Sequence, residues 1–169
     1  MNIQIIKMQP QHWQEVARIY SEGIATGNAT FQKDIPTWEE WDSSHLKNCR
    51  FVALNVTPNT EGVVVGWAAL TPVSGRCVYA GVAEVSVYVT PQYSGQGIGK
   101  MLMQQLIEAS ETDGLWTLQA GIFPENIGSV CLQESVGFRQ IGRRERIGKM
   151  DGKWRDTLLL ERRSEKIGV

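Results

Sequence analysis

The chain has 169 residues, 42% hydrophobic and 21% charged, with a formal net charge of −1. That length supports one domain with a substantial core, and the near-neutral balance gives no bulk signal for nucleic acid or a membrane surface. No apolar run reaches the length of a membrane span, and Met1 to Lys7 lacks the apolar core and cleavage site of a signal peptide. Cys49, Cys77 and Cys131 are odd in number and widely spaced, so a disulfide framework is not expected and a reducing cytoplasm fits. His12 and His45 show no metal-ligand spacing with these cysteines, so no metal is expected.

In chain order, Ile3 to Lys7 reads as a strand. Gln11 to Glu22 places Val16, Ile19 and Tyr20 at helical spacing, with Trp13 and Ala17 on adjoining turns. A polar loop, Gly23 to Pro36, follows, and Thr37-Trp38-Glu39-Glu40 has the form of a capping box that opens a second helix ending near Asn48. Phe51 to Val56 and Val63 to Leu70 are strand-like around Pro58, Asn59 and Gly62, and Tyr79 to Val89 is a long strand. Ile98, Leu102, Leu106 and Ala109 fall on one helical face, and Asp113-Gly114 ends that helix. Leu118 to Ile122 reads as a buried strand, and Asn126 to Ser135 as a short helix closed by Gly137. Arg139 to Lys149 and Lys153 to Leu160 form two strands around the turn Asp151-Gly152. The order β-α-α-β-β-β-α-β-α-β-β implies an α/β fold, a mixed sheet covered by helices. A single domain over residues 1–163 with a short, frayed tail at 164–169 is expected.

The most informative segment is the strand Glu84 to Val89 running through Thr90-Pro91 into Ser94-Gly95-Gln96-Gly97-Ile98-Gly99-Lys100. Three glycines at the entrance of a helix allow close backbone approach, and the helix's first N–H groups point into the same space. Such a place binds phosphate, with Lys100 adding a cation nearby. The Gly-x-Gly-x-Gly spacing fits neither a Rossmann fingerprint nor a Walker loop. Taken alone, the glycines also suit a plain strand-to-helix turn.

The turn resembles motif A of the GNAT acetyltransferase superfamily, written Gln/Arg-x-x-Gly-x-Gly/Ala, with Gly97-Ile98-Gly99 as its second half and Ser94 in place of the first residue. Asn126 to Phe138 resembles motif B of the same superfamily. Ile19 to Ile24, Ala29 to Phe31, Trp38 to Trp41, Arg76 to Val89 and Gly148 to Asp156 are similar to the phosphinothricin N-acetyltransferase family. The resemblance covers nearly the whole chain. It implies an acetyl-CoA-dependent N-acetyltransferase acting on the α-amino group of phosphinothricin, methionine sulfoximine or methionine sulfone, and a homodimer with the substrate pocket near the subunit interface.

The resemblance implies a cofactor site at Val87, Tyr88, Val89, Gly95, Gln96, Gly97, Ile98, Gly99, Lys100, Asn126, Ser129 and Ser135. Val87 and Val89 would bond the pantetheine amides through their main chain. It implies substrate contacts at Phe31, Ser74, Gly75, Arg76, Glu84, Val85, Ser86 and Lys149, with Arg76 and Lys149 as candidate cations for the substrate's acidic group. Alternation sets Glu84, Ser86 and Tyr88 on one strand face and Val85, Val87 and Val89 on the other. Glu84 is the expected general base, since an amino group of pKa near 8 must lose a proton before attack. Gln133 stands where relatives carry Tyr or His as general acid. Departure of a thiolate of pKa about 8.5 at pH 7 costs only roughly 2 kcal/mol, so an acid is dispensable; Tyr88 is a reserve candidate. Ser94 and Gln133 also leave open a non-catalytic acyl-CoA-binding module, and acetylation of proteins or peptides is a third alternative.

Overall fold

The computed structural model describes residues 1–169. Seven strands, β1 (Ile3–Lys7), β2 (Arg50–Asn55), β3 (Val63–Pro72), β4 (Val82–Val89), β5 (Thr117–Ile122), β6 (Arg139–Met150) and β7 (Lys153–Arg163), form one sheet in the order β1-β2-β3-β4-β5-β7-β6. Four α-helices, α1 (Trp13–Ala25), α2 (Trp38–Ser44), α3 (Ile98–Thr112) and α4 (Ile127–Ser135), complete the order anticipated from the sequence. Every neighbouring pair of strands is antiparallel except β4 and β5, which α3 joins as a crossover.

The helices cover opposite faces. Ile98, Leu102 and Leu106 of α3 recur every fourth residue and pack on Val65, Ala68, Leu118, Ala120 and Leu160. On the other face, Val16 and Ile19 of α1 and Trp41 of α2 pack on Val52, Trp67 and Ala69. Trp67 stacks on Tyr88 at 4.9 Å and meets Tyr20 edge-on at 5.6 Å, so aromatic contacts dominate this second core. Trp38 and Trp41 extend it: the ring centroid of each lies within 6 Å of that of Trp13.

Several boundaries move for identifiable reasons. The first helix begins at Trp13, after a single 3-10 turn at Pro10–His12, and runs on to Ala25. At α2 the capping box forms as expected: Thr37 Oγ1 accepts from Glu40 N, and Glu40 Oε2 accepts from Thr37 N. The helix stops at Ser44 rather than near Asn48, because Leu46 N donates to Leu70 O in β3 instead of continuing the helical ladder. The buried Arg50 guanidinium takes the carbonyls of Asp42, His45 and Leu46 and pairs with the Asp42 carboxylate, satisfying the helix end. Strand β4 starts at Val82, because a 3-10 turn occupies Cys77–Tyr79. Strand β7 extends to Arg163, and the residues beyond it are held: the Arg163 guanidinium donates to the carbonyls of Trp116, Ser164, Ile167 and Gly168, and Ser164 is buried against Glu111. Asp151 and Gly152 both have positive φ, 50° and 78°, as a tight hairpin turn requires.

His45 stacks on Trp41 at 4.0 Å, with Nδ1 2.7 Å from the Trp41 carbonyl. Burial pushes its pKa from 6.5 down to about 4; the carbonyl acts in the opposite direction and the Arg50 charge adds to the lowering. The unfolded chain therefore binds this proton more readily than the folded one, and the stability present above pH 6.5 is lost as pH falls toward 4. Between pH 7 and 5 the loss from this one group is about 2 kcal/mol. His45→Gln is expected to flatten that part of the acid dependence, measured as urea midpoints at the two pH values.

Candidate active site

Strands β4 and β5 pair over Val82–Thr117, Ala83–Leu118 and Glu84–Gln119, and there the pairing ends. Strand β5 continues against β7 while β4 continues against β3, so a seam opens between Val85–Val89 and Ala120–Phe123. The register fixes which backbone groups face it. Thr90 N donates to Val65 O, and Tyr88, Ser86 and Glu84 stand opposite Trp67, Ala69 and Thr71 in step with that bond. By the alternation of an antiparallel ladder, the N–H and C=O groups of Val85, Val87 and Val89 point away from β3; the Glu84–Gln119 pair takes the Val85 N–H, and the Val85 C=O and both groups of Val87 and Val89 face the seam.

The seam leads to the start of α3. Gly97 caps the helix with φ +81°, and Gly95 has φ +73°. A Cβ on either would meet no atom within 4 Å, so both glycines serve a backbone conformation and border open space. The first main-chain bond of the helix runs from Met101 N to Gly97 O, which leaves the N–H groups of Ile98, Gly99 and Lys100 without helical acceptors. A Cβ on Gly99 would stand 3.0 Å from Leu132, so this glycine lets α4 approach α3.

Together these elements border a cleft of about 1290 Å³. Of the residues anticipated for the cofactor, Val87, Tyr88, Val89, Gly95, Gly97, Ile98, Gly99, Lys100, Asn126 and Ser129 line it. Asn126 is also structural, since its Oδ1 accepts from Ser129 N to cap α4 and its Nδ2 donates to Asn28 O. Gln96 and Ser135 lie outside the lining: the Gln96 amide donates to Gln92 O, and the Ser135 hydroxyl donates to Leu132 O at the far end of α4.

Of the residues anticipated for the substrate, Phe31, Glu84, Val85 and Ser86 line the same cleft. The Glu84 carboxylate forms no hydrogen bond or ion pair within the chain, and its Oε1 lies 3.6 Å from where a Cβ on Gly121 would be. Phe31 meets Phe123 edge-on at 4.8 Å and covers Gly148, where a Cβ would come within 2.7 Å of its ring. Ser74, Gly75 and Arg76 are outside the cleft; Arg76 lies 5.8 Å over the Tyr79 ring. Lys149 stands opposite Trp154 with its ammonium 5.7 Å over that ring, on the sheet face opposite to Glu84.

Gln133 is buried at 2% exposure and borders the cleft, with Nε2 3.9 Å from Met103 Sδ and Oε1 unpaired. The Tyr88 phenol has its pKa raised by burial and by Tyr20, with the Thr30 hydroxyl partly offsetting this. A phenol so placed holds its proton tightly, which argues against Tyr88 as a proton donor in the reaction. Thr30, inside the family-like segment Ala29 to Phe31, also lines the cleft, as do Gly121, Phe123, Arg144 and Thr157, which carry no motif in the sequence. They are found by strand register and by the packing of the loop after α1. No three His, Cys, Asp or Glu side chains gather as a metal-binding group.

A seam between two parallel strands, leading to a helix N-terminus with free N–H groups, defines a protein that holds a long ligand ending in phosphate. Residues 13–138 match the model of the Acetyltransferase (GNAT) family, and the chain belongs to that family. YwnH of Bacillus subtilis (strain 168) is 33% identical over 87% of this chain and 90% of its own. The phosphinothricin N-acetyltransferase of Alcaligenes faecalis is 30% identical over 87% of this chain and 75% of its own. The L-methionine sulfoximine/L-methionine sulfone acetyltransferase of Pseudomonas aeruginosa is 26% identical over 86% of both chains. Among solved structures, the GNAT superfamily phosphinothricin acetyltransferase of Sinorhizobium meliloti in complex with AcCoA has the same fold, with a TM-score of 0.86 at 24% identity over 99% of this chain and 91% of that one.

The loop carrying Phe31 is held to the sheet by Arg155. Its guanidinium donates to Gly27 O and Asn28 Oδ1, pairs with Glu125, and sits 4.0 Å over the Phe123 ring. Arg155→Leu is expected to destabilise the protein by about 1–3 kcal/mol and to raise amide exchange selectively across residues 26–36. Uniform exchange throughout the chain in that variant would contradict the clamp.

Proposed function

We propose that this chain transfers the acetyl group of acetyl-CoA to the α-amino group of a small amino acid analogue, of the kind named for its relatives: phosphinothricin, methionine sulfoximine or methionine sulfone. The observation that carries this reading is the position of Glu84, at the last β4–β5 pair, where the seam meets the pocket under Phe31.

The residues present suit acetyl-CoA. The free N–H groups of Ile98, Gly99 and Lys100, with the open space at Gly95 and Gly97, would hold the diphosphate. The outward-facing main-chain groups of Val87 and Val89 would hold the pantetheine amides in the manner of an added strand. Acetyl-CoA, when bound, supplies an acetyl thioester with a thiol as leaving group. Glu84, with its carboxylate free of any protein partner, takes the proton of the substrate ammonium through a water. The Val87 N–H is the first free donor past the crotch of the seam, since the Glu84–Gln119 pair spends the Val85 N–H on Gln119 O, and it is available to the thioester oxygen. Gln133 supplies no proton and keeps a polar amide at the buried wall of the cleft.

The protein is further proposed to act as a homodimer in the cytoplasm. Ser74, Gly75, Arg76 and Lys149 stand outside the cleft of a single chain, so a second copy is what would bring them to a substrate. Val78, Tyr79 and Trp154 beside them are exposed apolar residues that such a contact would cover. Three free cysteines suit a reducing compartment, and no helix is long and apolar enough to cross a membrane.

The first test is thiol release from acetyl-CoA with L-phosphinothricin, L-methionine sulfoximine, L-methionine sulfone, ordinary amino acids and a short peptide. Release with one of the first three supports the reading, and release with the peptide alone overturns the substrate class. Glu84→Gln is expected to retain acetyl-CoA binding while kcat at pH 7 falls about 10²–10⁴-fold, with partial recovery at alkaline pH where more of the amine is already neutral. Unchanged turnover at pH 7 removes Glu84 as base. Gly97→Val places a branched side chain in the phosphate cradle at a positive φ, and calorimetry is expected to show acetyl-CoA affinity reduced at least tenfold.

A further inference from the structure

Two cations border the cleft, Lys100 at the α3 entrance and Arg144 on β6. The Arg144 guanidinium makes no hydrogen bond or ion pair within the chain, whereas its neighbour Arg143 is bound through Nε and Nη2 to Asp156. A slip in strand register separates their fates. Arg139 stands opposite Glu161, and strict alternation would send Ile141 and Arg143 to the same face as Arg139. The ladder shifts between Gln140 and Gly142, so Gly142 meets Leu159 and Arg144 meets Thr157. Thr157 lies on the Glu84 face beside Phe123 and lines the cleft. A second shift follows between Arg144 and Gly148, where Arg146 has φ +47° and its N–H donates to Asp156 Oδ1. Asp156 thus pins the bulge and occupies Arg143, and Arg144 is left toward the cleft with its charge unpaired.

We infer that Arg144 is a specificity-determining residue that binds an anionic group at the distal end of the acceptor's side chain. The inference rests on the amino acid acetyltransferase reading above. Distance decides which anion is meant. Glu84 and Arg144 are three strand positions apart across β4, β5, β7 and β6, about 14 Å. The registers Glu84–Gln119, Ile122–Leu158 and Arg144–Thr157 offset them by about four residues, roughly 13 Å along the strands. Their Cα atoms are therefore about 20 Å apart on one face. Strand side chains stand roughly perpendicular to the sheet, so Glu84 and Arg144 close only part of that span, and the gap left exceeds the roughly 3 Å between the amino and carboxylate groups of one α-amino acid. An amine beside Glu84 with a phosphinate, phosphonate or carboxylate several bonds away bridges it. Phe31, Phe123 and Ile147 line the space between as an apolar wall for the intervening methylenes. Planar guanidinium geometry matches such oxyanions in a bidentate manner.

The test compares L-phosphinothricin, which has an anionic distal group, with L-methionine sulfone, whose distal group is neutral. Steady-state kinetics are run at saturating acetyl-CoA for the unaltered protein, Arg144→Leu and Arg144→Lys. Arg144→Leu is expected to lower kcat/KM about tenfold for phosphinothricin, chiefly through KM, and to leave methionine sulfone within about twofold. Arg144→Lys is expected to recover part of the loss. An equal loss with both acceptors, the result of a contact to the shared α-carboxylate or of damage to the fold, overturns the inference alone. No change with either acceptor also overturns it. Turnover of L-methionine sulfone or L-methionine sulfoximine by the unaltered protein with none of L-phosphinothricin overturns the inference alone, and failure with all three overturns the parent reading and the inference with it.

Discussion

Backbone hydrogen bonds in a sheet are ordinarily consumed by neighbouring strands, and an interior strand has none to offer. Strand β4 is the exception in this molecule. Its pairing with β5 ends at Glu84–Gln119, while its pairing with β3 runs on to Val89. From that single divergence follow the seam, the outward-facing main chain at Val87 and Val89, and the position of Glu84 at its closed end. The crossover helix α3 has to start where β4 finishes, so its free N–H groups stand at the open end of the same seam. A long ligand with amides in the middle and phosphate at one end is what such a line of donors and acceptors fits.

The two faces of the sheet divide the labour. The α3–α4 face is packed with aliphatic side chains and holds Val85, Val87 and Val89 by their side chains, while the backbone of Val87 and Val89 stays available. The α1–α2 face is aromatic, and its chemistry is more polar at the pocket. Tyr20 and Tyr88 pack together at 5.0 Å, and Phe31 roofs the space above Gly148 and Phe123. Arg155 holds the loop from beneath by two carbonyl-type acceptors and a ring. The acceptor pocket is therefore built by a loop that local sequence leaves irregular and that long-range contacts fix.

Much of the architecture was legible because its signals are local. The four-residue spacing of Ile98, Leu102 and Leu106, the capping box at Thr37–Glu40 and the Asp151-Gly152 turn each appear in the structure where the sequence puts them. The glycine turn was legible for the same reason, since positive φ at Gly95 and Gly97 is a property of those residues and their neighbours. The end of α2 was not, because Leu46 gives its N–H to Leu70, a residue 24 positions away. The face presented by β6 was not legible either. Alternation counted along the chain misassigns Arg143 and Arg144, since the bulges that shift the register exist only in the pairing with β7.

The sequence by itself determined the element order, the helix faces, the glycine turn with its positive φ and the strand face that carries Glu84, since each depends on residues within a turn or two of one another. Tertiary structure alone decided that β4 and β5 part after Glu84, that Gln133 is buried at the wall of the cleft, that Lys149 lies across the sheet over Trp154, and that Arg144 faces the cleft unpaired. These depend on which strand stops pairing with which, and on one-residue slips in register. Hydrogen bonds between distant segments set both, and no local pattern encodes them.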